Sequence, residues 1–372
     1  MKIAVDFREA CRDNKTGKGW HAYNLMQNVL EQDADNEYIF YVDDNAAVGK
    51  ISAPNVNWRV INKKSIFWHL AVLRELKSAP AKTQPDIFFA PTSFIIPALA
   101  PKTLKTVIIV HDLIAFLFPY HNKKAVFIEK MTCKSALKKA AAIIAISENT
   151  KKDLTSLFHP PLEKISIIHP AASDNFKKLS KEEIEKFREK HNLPDQFILA
   201  VGTLEPRKNF TTLIEAFARA ALDFPHLKLI IIGEKGWGYQ QIFKRAAEQN
   251  LSDKIIFRGY VGEQDLIYYY NAAEAFVFPS LYEGFGIPPL EAMKCGCPVI
   301  ASNTSSMPEV IGNAGLLIDP KNEKDLRQAI KSILTNQKLR KKLIKEGFKQ
   351  SQKFSYKNSA ARFLNILNIF KK

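Results

Sequence analysis

Short apolar runs alternate along the chain with longer stretches of helical periodicity. IAVDF, EYIFYV, DIFFA, TVIIV, AAIIAI and ISIIH fall in the first half, and FILAVG, LKLIIIG, KIIFRG, AFVFP, PVIAS and GLLID in the second. Such alternation predicts parallel sheets with helices on both faces. Six runs in each half are too many for one compact sheet, so the pattern predicts two doubly wound α/β domains. The polar, charged stretch 170–195 divides them, with the boundary near residue 171. Its helical middle, KEEIEKFREKH, is expected to pack on the second domain. Ligands of open parallel sheets bind outside the carboxyl ends of the strands. With two such domains facing each other, the cleft between them is the expected site.

Composition changes this picture only through charge. A chain of 372 residues, 46% hydrophobic and 25% charged, is that of a soluble globular protein of about two domains. MKIAVDF reads as a strand entering a core rather than a secretion signal, and no apolar stretch is long enough to span a bilayer. The four cysteines show no disulfide spacing, so they read as reduced and the chain as cytoplasmic. The net charge of +16 is unevenly spread: Lys338 to Lys372 holds eleven Lys or Arg against one acid, Glu346. Residues 122–141 read as a helix with Lys130, Lys134 and Lys138 on one face. The stretch 61–77 joins Lys63 and Lys64 to Phe67, Trp68 and Leu70. Basic amphipathic segments with aromatics suit an anionic membrane surface, which makes peripheral attachment to an inner membrane one reading. Ordinary solvated helix faces are the other. No nucleic-acid-binding signature accompanies the charge, so nucleic acid is not an expected partner.

The densest chemistry lies in PSLYEGFGIPPLEAMKCGCPV, residues 279–299. Glu283 and Glu291 stand eight residues apart around Gly284, Gly286, Pro288 and Pro289. The glycines permit a tight turn and close approach of backbone to a ligand. The prolines suit the first turn of a helix, which puts Glu291 early in that helix and Glu283 on the loop before it. Helix-start amides favour a phosphate, and a carboxylate on each side accepts hydrogen bonds from sugar hydroxyls. The ligand this suggests carries both phosphate and sugar. Arg207 and Lys208 follow the strand FILAVG and precede the helix FTTLIEAF. Cations beside a helix start are disfavoured by its dipole, so the pair reads as binding a diphosphate, whose developing charge it would stabilise. His111 ends the strand TVIIV, where a side chain reaches the ligand side of the sheet.

The Glu-x7-Glu pattern resembles that of the retaining glycosyltransferases of family 4, which have the GT-B fold. VGTLEPRKNFTTLIEAF (201–217), RGYVGEQDLIYYYNAAEAFVFPS (258–280) and ASNTSSMPEVIGNAGLLIDP (301–320) are also similar to family segments. The first half matches more thinly, chiefly in VIIVHDLIAF and IIAISENTKKDL. The resemblance implies an acceptor-binding domain over 1–171 and a donor-binding domain over 172–355. It also implies a last helix, within 356–372, crossing back to the first domain. Glu291 is then assigned to the nucleotide ribose, and Glu283 to the donor sugar with the amides of Gly284, Phe285, Gly286 and Ile287. His111 is implied to contact the donor sugar, with Asp112 orienting it or binding the acceptor. Gly17 and Gly19, read as a loop before a first helix over about 20–31, are similar to the family's glycine loop. Tyr260, Val261 and Gly233 fall on the nucleotide side. Many family members carry an arginine after the strand's glycine where this chain has Thr203, and Arg207 is placed to compensate.

The implied reaction moves a hexose from a nucleotide diphosphate sugar to an acceptor hydroxyl with retention. GDP-mannose is favoured mildly over a UDP-hexose, and a lipid-linked saccharide of surface-polysaccharide assembly is the expected acceptor. No metal or other cofactor is expected. The Asp33–Asp35 string and Asp43–Asp44 read as surface loops, and Ser147 and Asn149 as helix capping. Two alternatives remain open: a UDP-sugar 2-epimerase of the same fold, and a non-catalytic basic protein that binds membrane surfaces.

Overall fold

A computed structural model describes residues 1–80, 83–118, 123–249 and 251–371. Asn122 and Lys372, at the ends of two expected helical segments, lie outside the described residues. The chain forms two compact units, Met1–Pro170 with Ser355–Lys372, and Ala171–Phe354.

The first unit is built on β1 (Lys2–Asp6), β2 (Glu37–Val42), β3 (Val56–Val60), β4 (Ile87–Ala90), β5 (Lys105–Val110), β6 (Ala142–Ala145) and β7 (Ile165–Ile167). Their order is β3-β2-β1-β4-β5-β6-β7, all parallel. The second unit has β8 (Phe197–Val201), β9 (Lys228–Ile232), β10 (Ile255–Arg258), β11 (Ala275–Phe278), β12 (Val299–Ser302) and β13 (Gly315–Ile318). Here the order is β10-β9-β8-β11-β12-β13, again all parallel. In each sheet the strands grow one way and then the other, reversing between β1 and β4 and between β8 and β11. Such switch points open a crevice at the carboxyl ends of the central strands.

The apolar runs found every strand but one. In β3 half-buried and exposed positions alternate at the sheet edge. VNWRV therefore has the period of a half-solvated strand rather than a continuous apolar run. The central strands are buried on both faces, as parallel sheets covered by helices require.

Three further expectations change. The first helix spans Gly17–Gln32 and is capped by Thr16, whose hydroxyl accepts from the Gly19 amide at 3.4 Å. Gly17 and Gly19 thus occupy the first helical turn rather than a loop before it. Gly19 is required by packing, because a Cβ there would lie 2.5 Å from the Glu9 carbonyl oxygen. Trp68 is fully buried and donates Nε1–H to the Val42 carbonyl at 3.1 Å, so it offers nothing to a membrane. Asp33 is buried as well, accepting from Asn36 and from the Tyr38 hydroxyl at 2.5 Å, rather than lying exposed.

The helix Lys181–His191 belongs to the second unit and starts with a full capping box between Ser180 and Glu183. The last helix, Tyr356–Asn368, belongs to the first unit. Its Phe363 ring sits 4.5 Å from that of Phe89 in β4, and Ser359 Oγ donates to the His169 carbonyl at 2.6 Å. All four cysteines are free and buried.

Candidate functional site

In the second unit the switch point joins the turn after β8 to the loop after β11. Pro206–Lys208 form a 3-10 turn, and Asn209 in left-handed conformation (φ 58°) joins it to the helix Phe210–Asp223. Asn209 Nδ2 donates to the carbonyls of Pro279 (3.1 Å) and Pro320 (2.6 Å), and the Leu281 amide donates to the Arg207 carbonyl (2.8 Å). These bonds fix the turn against the β11 loop. Gly202, the residue after β8, leaves room for the Lys208 stem, which comes within 3.3 Å of where a Cβ would stand.

Lys208 Nζ then lies 2.6 Å from Glu283 Oε1, and Arg207 Nη1 lies 2.7 Å from Glu283 Oε2. Arg207 Nη2 also meets Glu205 Oε1 at 2.5 Å, and Nη1 donates to the Tyr282 carbonyl at 2.7 Å. Three of the expected catalytic residues therefore form one cluster, in which Lys208 and Glu283 stand 75 positions apart in the chain and Glu283 is buried. Burial by itself would raise the Glu283 carboxyl, but Lys208 and Arg207 outweigh it and hold the group at about 2. Burial lowers Lys208, and Glu283 counters only part of that. Glu283 is therefore ionised at neutral pH. An ammonium has three N–H donors, and Glu283 takes one of those of Lys208.

Beyond Glu283 the chain turns at Gly286 (φ 98°) into the helix Ile287–Lys294. A Cβ at Gly286 would stand 2.4 Å from Met307 Cε, so glycine is needed for both space and conformation. Pro288 and Pro289 occupy the second and third helical positions and carry no amide. The donors at this end are therefore the main-chain amides of 284–287, not those of a full helical turn. The Phe285 ring is buried, 5.4 Å from Phe354, leaving only its backbone toward the site. Hydroxyls from the segment after β12 brace the loop. Ser305 Oγ accepts from the Glu283 amide (3.0 Å), and Ser306 Oγ donates to the carbonyls of Glu283 (3.1 Å) and Phe285 (2.8 Å). The sequence signal for these residues was the SNTSS run itself, read only as part of a family segment.

Glu291 shares no hydrogen bond with Glu283 among the described residues. It accepts from the Tyr270 hydroxyl at 2.8 Å. Burial raises its carboxyl to about 7, which the Tyr270 bond opposes and the charge of Glu263 reinforces. Tyr270 was not foreseen, because nothing in YYYN distinguishes which tyrosine turns inward. Gly233 follows β9, where a Cβ would stand 2.0 Å from the Gly202 carbonyl oxygen and 3.3 Å from the Thr203 amide nitrogen. Thr203 and Gly233 are thus neighbours at adjacent strand ends. Tyr260 and Val261 lie one strand further out, after β10, with the Tyr260 side chain 56% exposed.

In the first unit His111 follows β5 and is buried. Its Nε2 lies 2.7 Å from the Pro91 carbonyl, so Nε2 carries the proton and Nδ1 is left as an acceptor. Burial, with Lys18 adding to it, lowers the imidazole to about 3, and the ring is neutral. The His21 ring packs edge-on against it at 5.5 Å, a neighbour the sequence did not suggest. Asp112 Oδ1 accepts from the Ile114 amide at 3.2 Å. Ser147 caps the helix Glu148–Phe158 through the Thr150 amide. Among the described residues no group of three or more His, Cys, Asp or Glu is arranged to hold a metal ion. No described helix is long and apolar enough to cross a membrane.

Two doubly wound sheets, with paired cations meeting a carboxylate at the switch point of the second, define the class of open parallel α/β proteins. Comparison with known proteins narrows the class. Residues 181–350 match the family described as "Glycosyl transferases group 1", and residues 17–175 match "Glycosyltransferase Family 4". The chain is 32% identical to the O-antigen chain mannosyltransferase B of Escherichia coli, over 76% of this chain and 74% of that protein. It is 34% identical to the serotype-specific mannosyltransferase WbdA of Escherichia coli over 69% of this chain, but spans only 32% of that longer protein. The sucrose-phosphate synthase of Thermosynechococcus elongatus superposes with a TM-score of 0.81 at 21% identity, covering 99% of this chain and 98% of that one. The chain belongs to the glycosyltransferases of these families and has their GT-B fold.

Proposed function

We propose that the chain transfers a hexose, with mannose favoured, from a nucleoside-diphosphate sugar to an acceptor hydroxyl with retention of configuration. The observation that carries this reading is the Lys208–Glu283–Arg207 cluster at the β8/β11 switch point. A diphosphate leaving group gains charge as the glycosidic bond breaks. Cations held in place beforehand stabilise that charge without reorganising. Glu283, ionised and braced by Ser305 and Ser306, holds the two cations in place and offers oxygens to sugar hydroxyls. Glu291 takes the ribose hydroxyls. The route is front-face attack, in which a leaving phosphate oxygen accepts the acceptor's proton and the new glycosidic bond forms on the face the phosphate leaves. Positioning supplies the remaining acceleration, and no metal ion takes part.

The mannosyl preference draws on the names of the two Escherichia coli relatives. The proposed acceptor is a lipid-linked saccharide of surface-polysaccharide assembly. A membrane-presented acceptor accords with the helix Ser65–Ser78, whose exposed stripe runs Phe67, Leu70, Arg74 and Lys77.

The test is calorimetry with GDP, UDP, GDP-mannose and UDP-glucose, followed by transfer assays on Lys208→Ala. One nucleotide pair is expected to bind, and the variant to lose turnover by roughly 100-fold or more, the usual scale for removing one preorganised donor to a developing anion. Equal turnover in the two proteins would remove the diphosphate assignment. Conversion of donor alone, without acceptor, would favour the epimerase instead.

A further inference from the structure

The cluster after β8 contains a carboxylate to which the transfer reading gives no task. Glu205 is 7% exposed, and its Oε1 lies 2.5 Å from Arg207 Nη2. The local backbone does not call for an acid there. Glu205 enters the 3-10 turn in extended conformation (φ −143°, ψ 154°), and its side chain caps no amide. What the turn takes from this residue is the carbonyl, which accepts from the Lys208 amide at 3.0 Å. Burying an ion pair costs desolvation and seldom stabilises a fold more than an apolar pair would. A buried carboxylate that caps nothing therefore needs another reason.

Formal charge supplies one. Arg207 and Lys208 bring two positive charges to the cluster, and Glu205 and Glu283 bring two negative ones. The four side chains balance before any ligand arrives. Without Glu205 one positive charge would be in surplus. Such a surplus attracts every diphosphate alike: the sugar donor, the transition state and the nucleoside diphosphate left after transfer. Attraction shared by all three does not speed the bond-breaking step. It holds the product hardest, because breaking the glycosidic bond leaves the diphosphate with its greatest charge. Donors in contact with the leaving oxygen behave differently, since they act where charge develops. Balancing the cluster removes the shared attraction and leaves those contacts in place.

We propose that Glu205 is a charge-balancing residue: through Arg207 it cancels the surplus cation of the diphosphate site and so lets the spent nucleoside diphosphate leave. It is a positioning residue, acting through Arg207 and not by touching sugar or base. The proposal rests on the glycosyltransferase reading above, in which Arg207 and Lys208 meet a diphosphate.

The experiment measures GDP and UDP on the full chain, by calorimetry for affinity and by surface plasmon resonance for dissociation rate. It compares the parent with Glu205→Gln, Glu205→Ala and Glu205→Asp. Whichever nucleotide the parent binds should bind roughly tenfold tighter to the two neutral variants, the scale of one unit charge near a partly desolvated anion. The gain should appear as slower dissociation. Glu205→Asp keeps the charge and should gain nothing. GMP or UMP, carrying less charge, should gain less than the diphosphate. A glutamine still accepts from Arg207. A carboxylate that merely held Arg207 in place would therefore leave Glu205→Gln at parent affinity and weaken Glu205→Ala, and that pattern would overturn the proposal. So would a gain in Glu205→Asp, or equal gains for mono- and diphosphate. The two neutral variants carry the same prediction through different packing, so if one melts well below the parent the other decides. Both melting well below it would mark a structural carboxylate and overturn the proposal. Failure of GDP and UDP alike to bind the parent would overturn the transferase reading itself, and this proposal with it.

Discussion

Glu283 and Glu291 carry the same carboxyl, and burial disfavours charge on both. At Glu283 two cations within 2.7 Å reverse the balance and hold the group at about 2. At Glu291 a single tyrosine hydroxyl does not, and the group rises to about 7 from an ordinary 4.5. A raised carboxyl binds its proton more tightly when folded. Its stabilising contribution is complete below about 4.5 and is lost as pH rises through about 7. The depressed Glu283 has the opposite sign, contributing above 4.5 and losing that contribution as pH falls toward 2. Only the ionised Glu291 accepts hydrogen bonds with both oxygens. Nucleotide affinity should therefore rise by up to roughly tenfold between about pH 6 and about pH 8, following the carboxylate fraction. Calorimetry across that range should show the rise in the parent and a flat profile in Glu291→Gln. A parallel rise in both would place the titrating group elsewhere.

The last helix shows how far an element can lie in the chain from the unit it completes. Tyr356, Ala360, Phe363, Ile366 and Leu367 recur at helical spacing and are all buried in the first unit. Phe363→Ala should cost that unit about 3–5 kcal/mol, the usual range for removing a buried phenylalanine. A urea titration should show one transition moved to lower denaturant, while nucleotide affinity, which the proposed function assigns to Ala171–Phe354, should change little. A loss of nucleotide binding equal to the loss of stability would mean that the two units do not respond separately. The existence of nearly all the strands was legible from apolar runs, since a covered parallel strand must be apolar on both faces. Edge strand β3 was not, because half its side chains meet water. The helix start at Gly17 was missed because two glycines in one turn read as a loop, and only the close approach to Glu9 explains Gly19 there.

Over the whole molecule part of the +16 charge lies beside exposed apolar side chains. Phe67 (68% exposed), Phe127 (65%) and Met131 (67%) lie on two helices of the first unit. Lys63, Lys64, Arg74 and Lys77 border the first helix's stripe, and Lys130, Lys134 and Lys138 that of the second; all are exposed. Buried Trp68 is removed from this face, but Ile66 and Leu70 remain on it. Sedimentation should therefore carry the protein with anionic vesicles and not with neutral ones. The partition should fall as salt shortens the screening length from about 10 Å at 0.1 M to about 3 Å at 1 M. Equal partition into both vesicle types would assign the lysines to solvation alone.

The two-sheet architecture, the place of the division and the turn into a helix at Gly286–Pro289 could be read from the chain, because each depends on local pattern: apolar period, turn glycines, helix-start prolines. The partnerships could not. That Lys208 and Arg207 would close on Glu283 and that Tyr270 would hold Glu291 both depend on which strand ends become neighbours. Strand order is a property of the folded sheet, in which β8 meets β11 and β4 meets β5 across crossovers of many residues. Charge states follow from the same cause, since the desolvation and Coulomb terms that set a carboxyl at 2 or at 7 exist only once distant segments have been packed together.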